Sequence, residues 1–321
     1  MDVAGVGTGA VGVMLPRDLP AGRVLEFART AESLGFAELW VVEDLGFRGG
    51  IAQAAAVLAA TSRLRVGVGV LPTAARNVVF AAMEIATLAE LFPGRIDVGV
   101  GHGMPHWMRS IDAWPASPLT LLDEYVTALR ALLRGERVTV EGRYVRVAGV
   151  ALETPPAVVP PILAGVRGPR SLTVSGAVAD GTVLAEPVTP EYVTAALAQI
   201  GAERPHRLVG YQAAAVGADD AVTYAAARTA LEWIGEPDWA PHIAPLPFAA
   251  DLAALRAASA SRADFVARMP DEWVAALAVV GTPAAARARI DELHAAGLSS
   301  VVLTPTGARP FDALRSFASV L

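Results

Sequence analysis

LRVGVGVLPTAARNVVFAAMEIATLAELFPGRIDVGV, residues Leu64–Val100, places a β-branched run (Leu64–Leu71) before an alanine- and leucine-rich helical stretch (Val78–Leu91) and a second β-branched run (Arg95–Val100). Strand, helix and strand in so short a span are the signature of a parallel α/β fold. The same alternation extends in both directions. Further strands are expected at Ala10–Leu15, Glu38–Val42, Pro161–Gly165, Gly181–Leu184, Arg207–Val216 and Ser299–Thr304, which makes eight. Helical stretches separate them, clearest in Ala21–Leu34, where Val24, Phe27, Ala28, Ala31 and Leu34 form one stripe at i, i+3, i+4, i+7. Gly35 closes that helix, and Gly297 closes the one that starts near Pro283.

Eight strand–helix units in 321 residues predict a (β/α)8 TIM barrel, with an open doubly wound sheet as the alternative. The expectation is one barrel unit over 1–321 with two insertions near its C-terminal mouth. One is a hairpin at about 137–148, alternating around Glu141-Gly142; the other is a Pro- and Trp-rich segment at 235–270 with the helical Ala249–Ala260 inside it.

Composition narrows the chemistry. All 26 basic residues are arginine, and lysine and cysteine are absent. That excludes Schiff-base and pyridoxal-phosphate enzymes, P-loop NTPases, thiolate nucleophiles, disulfides and cysteine-ligated metals. Abundant Ala, Arg, Val and Gly with a single asparagine, Asn77, also match GC-rich codon usage. A net charge of -6 argues against a nucleic-acid partner, which wants a basic face. Mean hydropathy is high at +0.44, yet the longest uncharged apolar run, Ile51–Ala60, is half the about 20 residues a spanning helix needs. Met1-Asp2-Val3-Ala4 lacks a basic leader segment. A soluble, cytoplasmic protein without a membrane partner is expected.

Candidate site residues follow from position. In a (β/α)8 barrel, polar residues at the strand C-termini face the reaction centre. The fourth strand ends at Gly101-His102-Gly103, so His102 is placed for acid–base work; its other reading is a loop histidine capping a backbone group. Glu43-Asp44 ends the second strand, either as a second acid–base pair or as N-terminal carboxylates of the next helix. His102 and His106 are four apart, but Gly103-Met104-Pro105 fills the interval without a carboxylate, so no metal is expected. A GxGxxG match at Gly7–Gly12 has no strand before it and no helix after it, and reads as a terminus leading into the first strand. Gly69-Val70-Leu71 ends the third strand and Ala185-Glu186 the sixth. After the fifth strand, Gly165-Val166-Arg167-Gly168-Pro169-Arg170-Ser171 runs straight into a helix, whose free N–H groups and two arginines make an anion site, or a plain helix start with solvated arginines.

These tips, with their linkers, resemble the luciferase-like flavin-dependent oxidoreductases. The carriers are AGRVLEFARTAESLGFAELWVVED (Ala21–Asp44), RVGVGVLPTAARN (Arg65–Asn77), AAMEIATLAELFPGRIDVGVGHG (Ala81–Gly103), PPILAGVRGPRSLTVSGAVADGTVLAE (Pro160–Glu186) and GTPAAARARIDELHAAGLSSVVL (Gly281–Leu303). The resemblance implies a (β/α)8 barrel, often a homodimer, that binds FMN or coenzyme F420 at the C-terminal mouth. It implies a non-proline cis peptide at Gly69-Val70 against the cofactor ring, and a cofactor-phosphate loop at Gly165–Ser171. It also assigns Leu71, Gly101, Gly103 and Glu186 to the cofactor site. There are departures. Deazaflavin-dependent relatives commonly carry Asp-His where this chain has Glu43-Asp44, and a carboxylate where it has Met104.

The expected function is hydride transfer to or from a small organic substrate, with F420 ahead of FMN. The alternatives are an FMN-dependent monooxygenase, a cofactor-holding barrel without catalysis, or a metal-free lyase or isomerase acting on a phosphorylated substrate. His102 is the first acid–base candidate, with Glu43 and Asp44 second. Met104 and Trp107 line the substrate pocket, and Trp114, Trp233 and Trp239 are candidate walls.

Overall fold

The computed structural model describes residues 9–321. The GxGxxG match therefore begins outside the described residues; from Gly9 onward the chain leads directly into the first strand. The strands are β1 (Ala10–Met14), β2 (Glu38–Val41), β3 (Arg65–Pro72), β4 (Ile96–Gly101), β5 (Val138–Glu141), β6 (Arg146–Val150), β7 (Ile162–Gly165), β8 (Gly181–Leu184), β9 (Arg207–Val216), β10 (Val279–Gly281) and β11 (Ser300–Pro305). Eight of them close a parallel barrel in the order β1-β2-β3-β4-β7-β8-β9-β11, with β11 back on β1. These are the eight strands expected, so the fold is a (β/α)8 TIM barrel and not the open sheet.

The antiparallel pair β5–β6 stands outside the barrel. β10 was not expected. It is three residues long and pairs with Ala214–Val216, the overhang of the ten-residue β9. The segment after β9 is also more helical than the sequence suggested, with short helices at Ala240–Ile243, Ala249–Ala257, Arg262–Ala267 and Asp271–Leu277 packed around Leu231, Phe265 and Leu277.

Side chains alternate between inside and outside because a strand has period two. Inward residues Met14, Trp40, Leu163, Val183, Val209, Tyr211 and Val302 fill the barrel as one cluster. Outward residues pack under the helices; the helix Val24–Leu34 buries Val24, Phe27, Ala28 and Ala31 and stops at Gly35, whose φ is 98°. Leu34, at the end of that stripe, is only partly buried.

At the N-terminal end of the barrel the inward residues are charged. Arg207 pairs with both Glu38 and Asp97, and Arg65 pairs with Asp97. Ser300 Oγ (2.7 Å) and Trp40 Nε1 (2.9 Å) donate to Glu38 Oε2. Buried charges survive only when paired and hydrogen-bonded, and this network meets that condition. It fixes the Trp40 indole, which needs a glycine opposite: a Cβ on Gly67 would lie 2.2 Å from the ring. The indole therefore fills the middle of the barrel, and the mouth lies above it.

Candidate active site

The mouth is built on glycine. Inward positions Gly69 on β3, Gly101 on β4 and Gly165 on β7 carry no side chain where the barrel opens. The Gly69–Val70 peptide is cis, as the resemblance implied, and the β3–β4 register shifts there, between Val68 and Leu71. Val70 consequently lies over the neighbouring glycines. A Cβ on Gly165 would sit 2.2 Å from Val70 Cγ1, and one on Gly101 would sit 3.1 Å from Val70 Cγ2. The result is a shelf of backbone and valine methyls that a flat ring system can approach closely.

Tyr211, on β9, stands beneath this shelf. Its ring meets Trp40 edge-on at 5.6 Å, and a Cβ on Gly69 would fall 1.8 Å from its hydroxyl. Among the described residues that hydroxyl is buried without a hydrogen-bond partner, and burial pushes the phenol well above its ordinary range. Sequence reasoning missed Tyr211; its inward parity on β9 was the available signal.

Beside the shelf, the helix Pro169–Val178 begins at Gly168 with no side chain capping its free N–H groups. Arg170 is exposed, and neither it nor Arg167 has a carboxylate at ion-pair distance among the described residues. Arg167 instead lies over Trp239 at 5.0 Å and donates to the Asp238 carbonyl at 3.2 Å. Trp239 stacks on Trp233 (6.3 Å), and Arg262 covers Trp233 at 3.5 Å. The ladder joins the segment after β9 to the loop after β7, an arrangement no local pattern announces.

The sequence-derived acid–base candidates have different surroundings. Glu43 is held by Arg76 through both oxygens (2.5 and 3.0 Å) and accepts from Gly50 N–H at 2.7 Å. Asp44 is held by Arg17 at 2.5 Å. His102 Nε2 is 3.2 Å from Ser171 Oγ, which ties the β4 tip to the helix start after β7. Its Nδ1 is buried without a partner, and burial pushes the imidazole down to about 4, so it is neutral at pH 7.

Glu186 follows β8 and is joined to Pro187 by a cis bond. Its carbonyl accepts from Trp239 Nε1 at 3.2 Å, while the Pro187 carbonyl meets His242 Nδ1 at 3.0 Å. The carboxyl faces Arg167, Asp44 and Arg17, and burial pushes it above the ordinary carboxylate range.

Met104 precedes a short helix, Pro105–Ser110, that was not expected although Pro105 marks its start. Gly103, with φ 70°, makes the turn into it; Trp107 on that helix is half-buried and His106 is exposed. Among the described residues no third ligand type joins the two histidines in a metal cluster. A cleft of about 540 Å³ opens next to the β3 tip, lined by Trp114, Tyr125, Tyr144 and Arg76.

Residues 1–300 match the luciferase-like monooxygenase family. The chain is 28% identical over 318 residues to the 5,10-methylenetetrahydromethanopterin reductase of Methanolobus tindarius, covering 94% of this chain and 95% of that one. It is 32% identical over 183 residues to the F420-dependent glucose-6-phosphate dehydrogenase of Microbacterium testaceum, covering 53% of this chain and 54% of the relative. In fold it superposes on the coenzyme F420 dependent tetrahydromethanopterin reductase of Methanopyrus kandleri with a TM-score of 0.81 at 19% identity, covering 97% and 98% of the two chains. A family match over nearly the whole chain, on a barrel whose mouth carries a glycine shelf beside an uncapped helix start, leaves one assignment: the chain belongs to the luciferase-like monooxygenase family.

Proposed function

We propose that the protein is an oxidoreductase that uses coenzyme F420 to transfer hydride to or from a small organic substrate, working as a cytoplasmic homodimer. The observation that carries this reading is the shelf at Gly69-Val70, open over Gly101 and Gly165, beside a helix start with two arginines that no carboxylate pairs among the described residues. A flat ring fits the first and a phosphate fits the second, because helix N–H groups and guanidinium forks favour anions. The residues present therefore fit a phosphate-bearing deazaflavin or flavin. When bound, F420 supplies hydride chemistry at its central ring.

Gly69, Val70, Leu71, Gly101 and Gly103 would hold the ring, and Gly165–Ser171 the phosphate. His102, neutral and bonded to Ser171, would orient that loop; Glu43 and Asp44 would hold the mouth's rim through Arg76 and Arg17. Trp107 and the Trp239–Trp233 ladder would exclude water and shape the substrate pocket. F420 ranks ahead of FMN because the sequence relatives named for their cofactor are F420-dependent.

The homodimer draws support from two outer helices. Gly50–Ala60 contains no charged residue and exposes Ala52, Ala56 and Ala59. Val78–Leu91 exposes Phe80 (64%), Met83 and Leu91 (65%). Exposed apolar side chains on two neighbouring helices, with Glu84 and Glu90 exposed among them, call for a covering partner, and a second copy offers the same face in return.

Titration of the purified protein with F420 and with FMN tests the cofactor. Binding of neither would end the proposal. Oxygen consumption with the reduced cofactor separates the FMN monooxygenase reading, and binding without turnover of any substrate would mark a cofactor-holding barrel.

A further inference from the structure

We propose that the Glu186 carboxyl is the proton donor of the reaction, delivering its proton to the substrate heteroatom next to the carbon that is reduced. The proposal rests on the oxidoreductase reading above. Among the other groups at the mouth, Glu43 is engaged by Arg76 and the Gly50 N–H, Asp44 by Arg17, and His102 Nε2 by Ser171; the Tyr211 phenol has no partner among the described residues, but burial pushes it well above the ordinary phenol range, which makes it the weaker acid. Glu186 has no cation at ion-pair distance and no side-chain donor among the described residues. Its backbone is nevertheless held from both sides, by the Trp239 indole on its own carbonyl and by His242 on the next. A carboxyl on a fixed backbone at a barrel-strand tip, held by its own backbone N–H but by no cation or side-chain donor among the described residues, is placed to meet a ligand.

The groups facing it come from every neighbouring element. Arg167 lies after β7, Asp44 and Arg17 after β2 and β1, and the Tyr211 hydroxyl on β9. Burial, with Asp44 behind it, favours the neutral acid, while the residue's own backbone N–H, Arg167 and Arg17 stabilise the carboxylate once the proton has left. The step balances. As the carbon of a C=O or C=N bond gains two electrons and a hydrogen from the reduced deazaflavin, its π pair moves to the heteroatom. The heteroatom then forms an O–H or N–H bond with the Glu186 proton, and the pair of the broken carboxyl O–H bond stays on Glu186, which is reprotonated from water.

The experiment uses the full chain with Glu186→Gln and Glu186→Asp. Without any cofactor, infrared difference spectra across a pH titration should show a protonated-carboxyl band that persists above the ordinary carboxylate range and is missing in E186Q. F420 affinity by fluorescence is measured for E186Q and the parent alongside turnover, so that a loss of binding is told apart from a loss of proton delivery. With reduced F420 and a panel of small ketones, enones and cyclic imines, E186Q should lose about a hundredfold or more in turnover. The parent's rate should fall as pH rises and Glu186 loses its proton; E186D should keep that limb at a lower rate, and E186Q should lack it. Unchanged turnover in E186Q, or no protonated-carboxyl band, overturns the proposal. Loss of F420 binding in E186Q alone would make Glu186 a cofactor-binding residue instead. Loss in the parent as well would overturn the cofactor reading, a distinct outcome.

Discussion

The Tyr211 hydroxyl and Gly69 are in direct contact at the floor of the mouth, so close that a Cβ at position 69 would lie 1.8 Å from the phenol oxygen. That oxygen makes no hydrogen bond. Two consequences can be measured. Gly69→Ala forces a buried overlap and should cost about 1–3 kcal/mol of stability and abolish ring binding at the shelf. Tyr211→Phe removes an unsatisfied buried group, so it should leave stability within about 1 kcal/mol of the parent or raise it. Urea unfolding measures both; a large loss in Tyr211→Phe would mean that the hydroxyl has a partner.

Arg170 stands exposed at the uncapped start of the helix Pro169–Val178. If the loop grips a phosphate, Arg170→Ala should weaken F420 binding by about tenfold, the equivalent of one charge-assisted hydrogen bond. The loss should shrink at high salt, because an exposed pair is screened. Affinity for a phosphate-free ring analogue should not change. Equal losses for both ligands would remove the phosphate assignment.

Burial lowers His102 to about 4 from an ordinary 6.5. The sign follows from linkage: as pH falls below 6.5 the unfolded chain takes up a proton before the folded one does. The contribution is fully present above pH 6.5 and is lost as pH falls toward about 4. His102→Gln should flatten the fall in unfolding free energy between pH 7 and pH 4.5. A His102 imidazole titrating near pH 6.5 in the NMR spectrum of the folded protein, assigned by its absence in His102→Gln, would contradict this account.

The exposed face formed by Phe80, Met83 and Leu91 beside the uncharged helix Gly50–Ala60 predicts the site of self-association. Phe80→Glu combined with Leu91→Glu should turn a dimer into a folded monomer in sedimentation analysis, since like charges at an isologous interface meet their own copies. A parent protein that sediments as a monomer would remove the dimer.

The barrel was legible from the sequence alone. Eight strands were placed by β-branched runs and turn signals, and each is a barrel strand, because strand formation here depends on local alternation and on helices of the right length between. The helix start after Gly165–Gly168 was legible for the same reason: Pro169 at a helix start is a local signal. β10 escaped because three residues carry no periodicity, and it exists only because β9 overhangs the barrel. Tertiary structure decided which acids are free. Glu43 and Asp44 look alike in sequence with Glu186, yet Arg76, Arg17 and the Gly50 N–H, brought in from other loops, engage the first two, while the third has no cation at ion-pair distance among the described residues. It also set Tyr211 against Gly69 across the barrel, 142 residues apart in the chain. Local pattern specifies which elements form and which way their side chains face. Which charged groups meet, and which polar atoms are left without partners, depends on closure of the barrel, where residues distant in sequence come within hydrogen-bond range.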